Sequence, residues 1–294
     1  MGGAVDLHSH TTASDGTLTP RELVRLAARH GVRVLAVTDH DSTGGVREAM
    51  DEARGLPSLE VVPGLEINCD VPGAEIHVLG YCLDWEAGWF QEFLGAQREE
   101  RRQRVYRIAA RLAELGVPID PDDVFALVKE GSAGRPHVAQ AMVDRGYVKS
   151  VREAFDRYLS LNGPANVPRK RLTPVEAVRI IRRARGVPVL AHPGLAHRDE
   201  LIPELVEAGL AGIEAFYPEH SAGQITAYRE LAAKLDLVAT GGSDFHGPRV
   251  GGVRHPGVQP VPDSAWAELR RRLAVLADET PSPSLAPPVP GAST

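Results

Sequence analysis

The chain is poor in cysteine. Only Cys69 and Cys82 occur in 294 residues, too few for a disulfide framework, and a reducing compartment is the simplest setting for them. It also lacks a long apolar run. Nothing approaches the roughly 20 residues that span a bilayer, so no membrane partner is expected. The first residues carry neither a basic n-region nor an apolar signal segment, and a cytoplasmic location is expected. Nor is there an excess of positive charge. Lys and Arg number 33 against 39 Asp and Glu, a net charge of −6. That argues against broad non-specific nucleic-acid binding, though not against a local basic pocket. There is no sustained internal repeat and no sign of an obligatory protein partner. What remains is an ordinary globular composition, 43% hydrophobic and 24% charged, long enough for one large domain or two smaller ones.

Several segments share one rhythm: a helix, a glycine turn, then a short apolar strand. Strands are predicted at Ala4–Leu7, Val32–Thr38, Leu59–Leu65, Ile76–Tyr81, Val187–Ala191, Ala211–Phe216 and Leu237–Thr240. Thr19-Pro20-x-Glu22 and Thr173-Pro174-x-Glu176 each read as an N-cap, a proline at the first helical position and an acid at the third. Strands alternating with helices predict an α/β fold with parallel strands and crossover helices. A barrel explains best why polar residues gather where the strands end.

The rhythm breaks between Asp84 and Pro168. One long arginine-rich helix is predicted over 92–115, with Val105, Ile108, Leu112 and Leu115 as its apolar positions. Asp120-Pro121-x-Asp123 and Ser150-x-x-Glu153 read as further helix starts. The expected organisation is a first barrel part over 1–83, a helical insertion capping the substrate over 84–168, a second barrel part over 169–279, and a disordered Pro/Ser-rich tail over 280–294. Glutamates interleave with the Arg98–Arg107 charge run, so it is expected to be a solvated helix face.

Chemistry-bearing residues cluster at the predicted strand ends. His8-Ser9-His10 places two imidazoles two residues apart on a strand, pointing the same way. Asp244-Phe245-His246 repeats the device near the far end. Asp15, His40, Glu66, His77 and His192 each sit close to an apolar run. Singly, each has a plain structural reading, such as a turn aspartate or a hydrogen-bonded core histidine. Nine together point to more than one metal ion.

The motifs His8-x-His10, Ser14-Asp15-Gly16, Thr38-Asp39-His40-Asp41, Gly64-x-Glu66, His77-Val78-Leu79-Gly80-Tyr81, Ala191-His192-Pro193 and Gly242-Ser243-Asp244-Phe245-His246 occur in one order. In that order they resemble the PHP (polymerase and histidinol phosphatase) family of metal-dependent phosphoesterases. The resemblance runs from near residue 5 to about residue 250. It implies a distorted (β/α)7 barrel with a helical insertion domain and a trinuclear metal centre. Carried over, His8, His10, Glu66 and Asp244 hold one metal. Glu66 bridges to a second, with His77 and His192. Asp15, His40 and His246 hold a third.

Imidazole and carboxylate ligands without thiolate suit Mn²⁺, Fe²⁺ or Zn²⁺, with Mn²⁺ the expected ion. Three divalent cations against three carboxylates leave about +3, a strong anion site. A water held between metals, in the keeping of Glu66, Asp244 and His192, is the expected nucleophile for phosphoester hydrolysis.

Outside the metals, Gly134-Arg135-Pro136-His137 supplies Arg135, whose guanidinium fork suits a phosphate the metals do not reach. His137, Lys170 and His220 are further substrate-binding candidates. Asp39 and Asp41 flank a ligand histidine and could orient ligands. The resemblance is greatest to the branch that removes the 3′-phosphate of nucleoside 3′,5′-bisphosphates and in some members trims short RNA. A small phosphorylated substrate is therefore expected. The alternatives are a hydrolase of histidinol phosphate, a sugar phosphate or a cyclic phosphate, and a non-catalytic module supporting a polymerase.

Overall fold

The computed structural model describes residues 4–128, 133–167, 172–248 and 254–278. Seven strands follow one another in chain order: β1 (Val5–Asp6), β2 (Val34–Val37), β3 (Glu60–Val71), β4 (Ala74–Tyr81), β5 (Val187–Leu190), β6 (Gly212–Phe216) and β7 (Val238–Gly241). The sheet curls nearly shut. Leu7 N–H donates to Gly241 O at 3.1 Å, and beyond the strand ends Asp244 N–H donates to His8 O at 2.9 Å. The result is an α/β barrel, as the strand–helix rhythm predicts.

Strand direction departs from that rhythm. β1, β2 and β3 are parallel, as are β5, β6 and β7, but β4 is antiparallel to both its neighbours. The physical reason lies in the β3–β4 turn. β3 runs on to Val71, opposite Ala74, and Gly73 takes φ +81°, which glycine adopts without the Cβ penalty. A two-residue hairpin therefore replaces a crossover helix. The reversal puts the start of β4, not its end, beside the C-terminal ends of the parallel strands. That is how His77, fourth in its strand, reaches the same rim.

Helices α1 (Pro20–Arg29) and α2 (Val46–Ala53) join the first three strands. Between β4 and β5 lie α3 (Gly88–Glu114), α4 (Pro121–Ala126), α5 (Arg135–Asp144) and α6 (Val151–Ala154), the last running into one π turn, Phe155–Leu159. Then come α7 (Pro174–Arg183), α8 (Pro193–Ala196), α9 (Ile202–Glu207), α10 (Ala222–Lys234) and α11 (Asp263–Asp278). Both predicted capping boxes form. Thr19 Oγ1 accepts Glu22 N–H at 3.2 Å and the Glu22 carboxylate accepts Thr19 N–H at 2.9 Å, and Thr173 and Glu176 do the same at 3.2 and 2.8 Å. Asp120 and Ser150 also cap as predicted.

One core cluster joins Leu7, Ala36, Val62, Leu79 and Val189 of the strands to Trp266 and Leu269 of α11. Another packs Ile67, Val78 and Ile213 against Ile181, Leu205 and Tyr228 of α7, α9 and α10. The later part of α3 and helices α4 to α6 have a cluster of their own, including Val105, Ile108, Leu112, Val138, Met142 and Leu159, whereas α7, also before β5, packs in the barrel cluster. Burying each such side chain contributes about 1.5–3 kcal/mol.

The Arg98–Arg107 run is not wholly a solvated face. Arg102 and Arg107 are exposed, but Arg101 and Arg104 are buried, at 8% and 6% exposure. They continue the buried stripe of Val105 and Ile108 back along α3 at helical spacing, so the fold draws them inward with it. The residues of the expected tail, 280–294, lie outside the described residues.

Candidate metal centre

All nine sequence-predicted ligands meet at the barrel rim. His8 and His10 follow β1 and are fully buried. Glu66, within β3, is the hub. Its Oε2 lies 3.3 Å from His8 Nε2, 3.3 Å from His10 Nε2 and 3.0 Å from His40 Nδ1. Its Oε1 lies 2.9 Å from His77 Nδ1 and 3.1 Å from His192 Nε2. Asp244 Oδ1 lies 3.3 Å from His8 Nε2, 3.1 Å from His10 Nε2 and 3.5 Å from His246 Nδ1. Asp15 faces His246 Nε2 at 3.3 Å, with His40 and His10 nitrogens at 3.8 Å.

Donor atoms within 4.8 Å of one another form four overlapping groups: His10, Asp15, His40 and His246; His8, His192 and Asp244; His8, His10 and Glu66; and His40, Glu66 and His77. The groups share His8, His10, His40 and Glu66. His40 thus belongs both to a group with Asp15 and His246 and to one with Glu66 and His77.

The donors fit divalent cations. Five buried atoms of this set make no hydrogen bond: His8 Nε2, both ring nitrogens of His10, Asp15 Oδ1 and Glu66 Oε2. Each such orphan costs about 1–3 kcal/mol, and all five converge on spaces that a cation would satisfy together.

The electrostatics point the same way. Burial disfavours the His8 cation, yet Glu214, Asp244 and Glu66 outweigh it and hold the pKa well above the usual value. His10 rises to about 10 against the same penalty, through Asp244 and Glu66. For His40 burial wins, and its pKa falls to about 4 despite Glu66 and Asp15. Asp15, Glu66 and Asp244 would be raised by burial but are pulled well below the carboxylate range by the surrounding histidines.

Three residues of the rim have left-handed backbone. Asp41, His192 and Asp244 have φ of 48°, 25° and 49°, strain of a kind that collects at functional sites. Gly242 lies so close to His8 that a Cβ there would approach His8 N to 2.4 Å, which explains a glycine just before Asp244.

A ring of polar residues orients the ligands. Glu214 accepts His8 Nδ1–H at 3.0 Å and His192 N–H at 2.8 Å, which turns the His8 Nε2 lone pair inward. Tyr217 donates its hydroxyl to Asp244 Oδ2 at 2.9 Å. Asp39 accepts from Thr11 N–H, Thr11 Oγ1 and Ser14 Oγ at 2.6–2.7 Å, holding the loop that carries Asp15. Asp41 accepts from Asn68 N–H at 3.2 Å and Arg101 Nε–H at 2.7 Å, and Asn68 Nδ2 lies 3.1 Å from His40 Nδ1. The sequence reading missed Glu214 and Tyr217. A lone carboxylate inside the apolar strand Gly-Ile-Glu-Ala-Phe was the available signal for Glu214, because an unpaired buried charge is too costly to stand without a role.

Of the substrate-binding candidates, Arg135 lines a cavity of about 100 Å³ together with Asp15, His40 and His77. It opens α5, pairs with Glu75, and donates to Leu159 O at 3.2 Å. His137 caps its own helix, Nδ1 accepting Gly134 N–H at 3.2 Å, and burial holds its pKa below the usual histidine value. His220 requires a correction. Its Nδ1–H donates to Ala215 O at 3.0 Å and its Nε2 accepts Gly194 N–H at 3.2 Å. Backbone groups therefore occupy both nitrogens, and the ring braces the turn that carries His192 instead of facing a substrate. Lys170 lies outside the described residues. Arg101 and Arg104 also line the cavity and were not among the candidates.

A near-closed α/β barrel whose rim gathers imidazoles and carboxylates, most of their donor atoms buried, defines a protein with the donor set of a divalent-metal site. Residues 6–167 match the PHP domain. The chain is 35% identical over 274 residues to the 5′-3′ exoribonuclease Rnm of Escherichia coli, covering 91% of this chain and 88% of that one. It is 34% identical to the 3′,5′-nucleoside bisphosphate phosphatase of Chromobacterium violaceum, covering 93% and 99%. It is also 34% identical to the phosphoribosyl 1,2-cyclic phosphate 1,2-diphosphodiesterase of Eggerthella lenta, covering 86% and 97%. A Bifidobacterium adolescentis crystal structure assigned as a metal-dependent phosphoesterase superposes with a TM-score of 0.84 at 32% identity, covering 92% and 96%. The chain belongs to the PHP family and is a metal-dependent phosphoesterase of that family.

Proposed function

We propose that this protein is a phosphatase that removes the 3′-phosphate of nucleoside 3′,5′-bisphosphates, working with three divalent cations, Mn²⁺ first among them. The observation that carries the reading is one cavity of about 100 Å³ lined both by Asp15, His40 and His77 and by Arg135. A phosphoester at the cation-binding donors and a second phosphate on a guanidinium fork can then be held at once. The bisphosphate phosphatase relative, matched over 99% of its length, supports the same substrate. The helices between β4 and β5 act in this reading as a substrate cap, with His137 and Lys170 as lesser contributors.

When bound, divalent cations acidify water to a nucleophile near neutral pH and neutralise charge on the phosphoryl oxygens. The chain does the rest. Glu66 presents one oxygen to each side of the centre. Glu214 and Tyr217 fix His8 and Asp244, so that little reorganisation is left for the reaction itself. Arg135, already held by Glu75 and Leu159 O, meets the distant phosphate at a small entropic cost.

The exoribonuclease relative favours a second reading, trimming of short 5′-phosphorylated RNA, which the same two-point grip would serve. Phosphate release by the Mn²⁺-loaded protein from adenosine 3′,5′-bisphosphate, compared with AMP, 3′-AMP, histidinol phosphate and a cyclic phosphate, tests the proposal. A strong preference for the bisphosphate, reduced about 10-fold or more in Arg135→Gln, is expected. Preference for a monophosphate or a cyclic phosphate overturns it.

A further inference from the structure

The barrel closes along a seam. β1 and β7 stand at the two ends of the strand order, and among the described residues no strand ladder joins them. Backbone hydrogen bonds cross the seam from Leu7 to Gly241, from Asp244 to His8 and from His10 to Phe245. The His8-x-His10 pair comes from one side and Asp244-x-His246 from the other. Two of the four donor groups straddle the seam: His8 with His192 and Asp244, and His10 with Asp15, His40 and His246. The two groups built on Glu66 take nothing from the β7 side. His40, Glu66 and His77 belong to β2, β3, β4 and their ends, which the strand ladders already hold together.

Asp6 lies in the seam, on β1, and is fully buried. Its Oδ1 accepts His8 N–H at 3.3 Å and Ser243 N–H at 2.8 Å, and its Oδ2 accepts Gly257 N–H at 2.7 Å. One carboxylate thus holds the start of the first ligand pair, the residue before the second, and the segment that leads to α11. That segment also carries Arg254, whose Nη1 stands 4.0 Å from Asp244 Oδ2. A carboxylate suits the place because it accepts from several directions at once and because its charge strengthens each bond to an N–H. The packing leaves no room for a looser arrangement. A Cβ on Gly242 would come within 2.9 Å of Asp6 Oδ1 and 2.4 Å of His8 N.

We propose that Asp6 is a positioning residue for the cation centre, fixing the width of the seam and with it the two donor groups that straddle the seam. It acts through the backbone of His8 and Ser243, which sets where the His8 and Asp244 side chains point. The donors then stand in place before any cation arrives, so little binding energy goes into arranging them. The inference concerns the centre itself and holds whichever phosphoester is the substrate.

The test uses the full chain and the variant Asp6→Asn. Asparagine keeps the volume, but whichever way its amide turns, one backbone N–H meets a donor in place of an acceptor. Mn²⁺ binding is measured by titration calorimetry, metal per chain by elemental analysis, and stability by thermal unfolding. Asp6→Asn should weaken the cations that straddle the seam by about 10–100-fold. It should leave the cation of His40, Glu66 and His77 bound, so that metal per chain falls without reaching zero. Leu269→Ala is the control. It empties part of the core between α11 and the barrel, and should lower Tm with Mn²⁺ affinity unchanged. If Asp6→Asn behaves like that control, Asp6 only supports the fold and the proposal is overturned. Equal loss of every cation overturns it as well, since the Glu66 groups do not need the seam. If the variant does not fold, amide hydrogen exchange of the wild-type protein decides. Ser243 and Gly257 N–H should be protected in the metal-free protein as they are in the metal-loaded one. Free exchange of either without metal means that the cations, and not Asp6, set the seam.

Discussion

The barrel rim and the helical wall beside it are built from the same kinds of charge, held in opposite ways. On the rim, the buried His8, His10 and Glu66 and the partly buried Asp244 have donor atoms facing one another at 3.1–3.3 Å, with several atoms unbonded. On the wall, Arg104 and Arg135 are bonded to backbone oxygens and side chains, and Arg101 Nη2 makes no hydrogen bond among the described residues. Backbone hydrogen bonds between strand ends position the rim. Ion pairs between a long helix and the barrel, such as Arg101–Asp41, position the wall. The difference teaches that one chain can hold a cluster of donors by strand geometry and a cluster of guanidinium groups by helix docking.

The largest expected effect breaks the rim alone. Glu66→Gln removes the charge that meets five histidines. Hydrolysis should fall to background, and metal per chain, read by elemental analysis, should drop by at least one equivalent. Metal content equal to wild type would show that Glu66 is not the hub. The wild-type rim should also release protons as it loads. His8 and His10 have pKa values raised above 6.5, His10 to about 10, so the metal-free fold carries protons at neutral pH that cations must displace. Metal affinity should then rise with pH and level off above about pH 10. In the metal-free protein the stabilisation from protonated His10 is full below about pH 6.5 and lost as pH climbs through about 10. Titration calorimetry in buffers of different ionisation enthalpy counts those protons.

Next in size is Glu214→Gln, which leaves every ligand in place but loosens His8 and His192. Metal affinity or turnover should fall by about 10–100-fold. A change within 2-fold in both would show that the strand backbone alone fixes the ligands. The smallest effect sharpens the contrast from the other side. Arg104→Gln strips support from Val167 O and Asn166, and should cost about 1–3 kcal/mol in denaturant unfolding with metal per chain unaltered. Loss of metal in that variant would mean that wall and rim are not separable.

How much of this was legible beforehand follows the same division. The strands and the gathering of nine donor residues at the rim could be read because strand positions two apart face one way and because apolar runs end in turns. The capping boxes at Thr19 and Thr173 could be read because capping is local. The reversal of β4 was not legible, since a glycine turn after an apolar run looks alike in a hairpin and in a strand–helix junction. Glu214 stood out only as a carboxylate in an apolar strand; its role was not legible, because its partners, His8 and the His192 backbone, come from distant parts of the chain. His220 looked like a substrate-binding residue because sequence shows where a histidine falls but not which backbone groups occupy its nitrogens.

By itself, then, the sequence determined the alternation of strand and helix, the helix starts and the chemical character of the rim, because these depend on neighbours within a few residues. Only the tertiary structure decided that β4 runs backward, that Glu66 touches five histidines, and that Arg101 turns from a charged helix face into a buried cavity. Each of those depends on contacts between residues far apart in the chain, and the burial of a charge is settled by what the fold brings beside it.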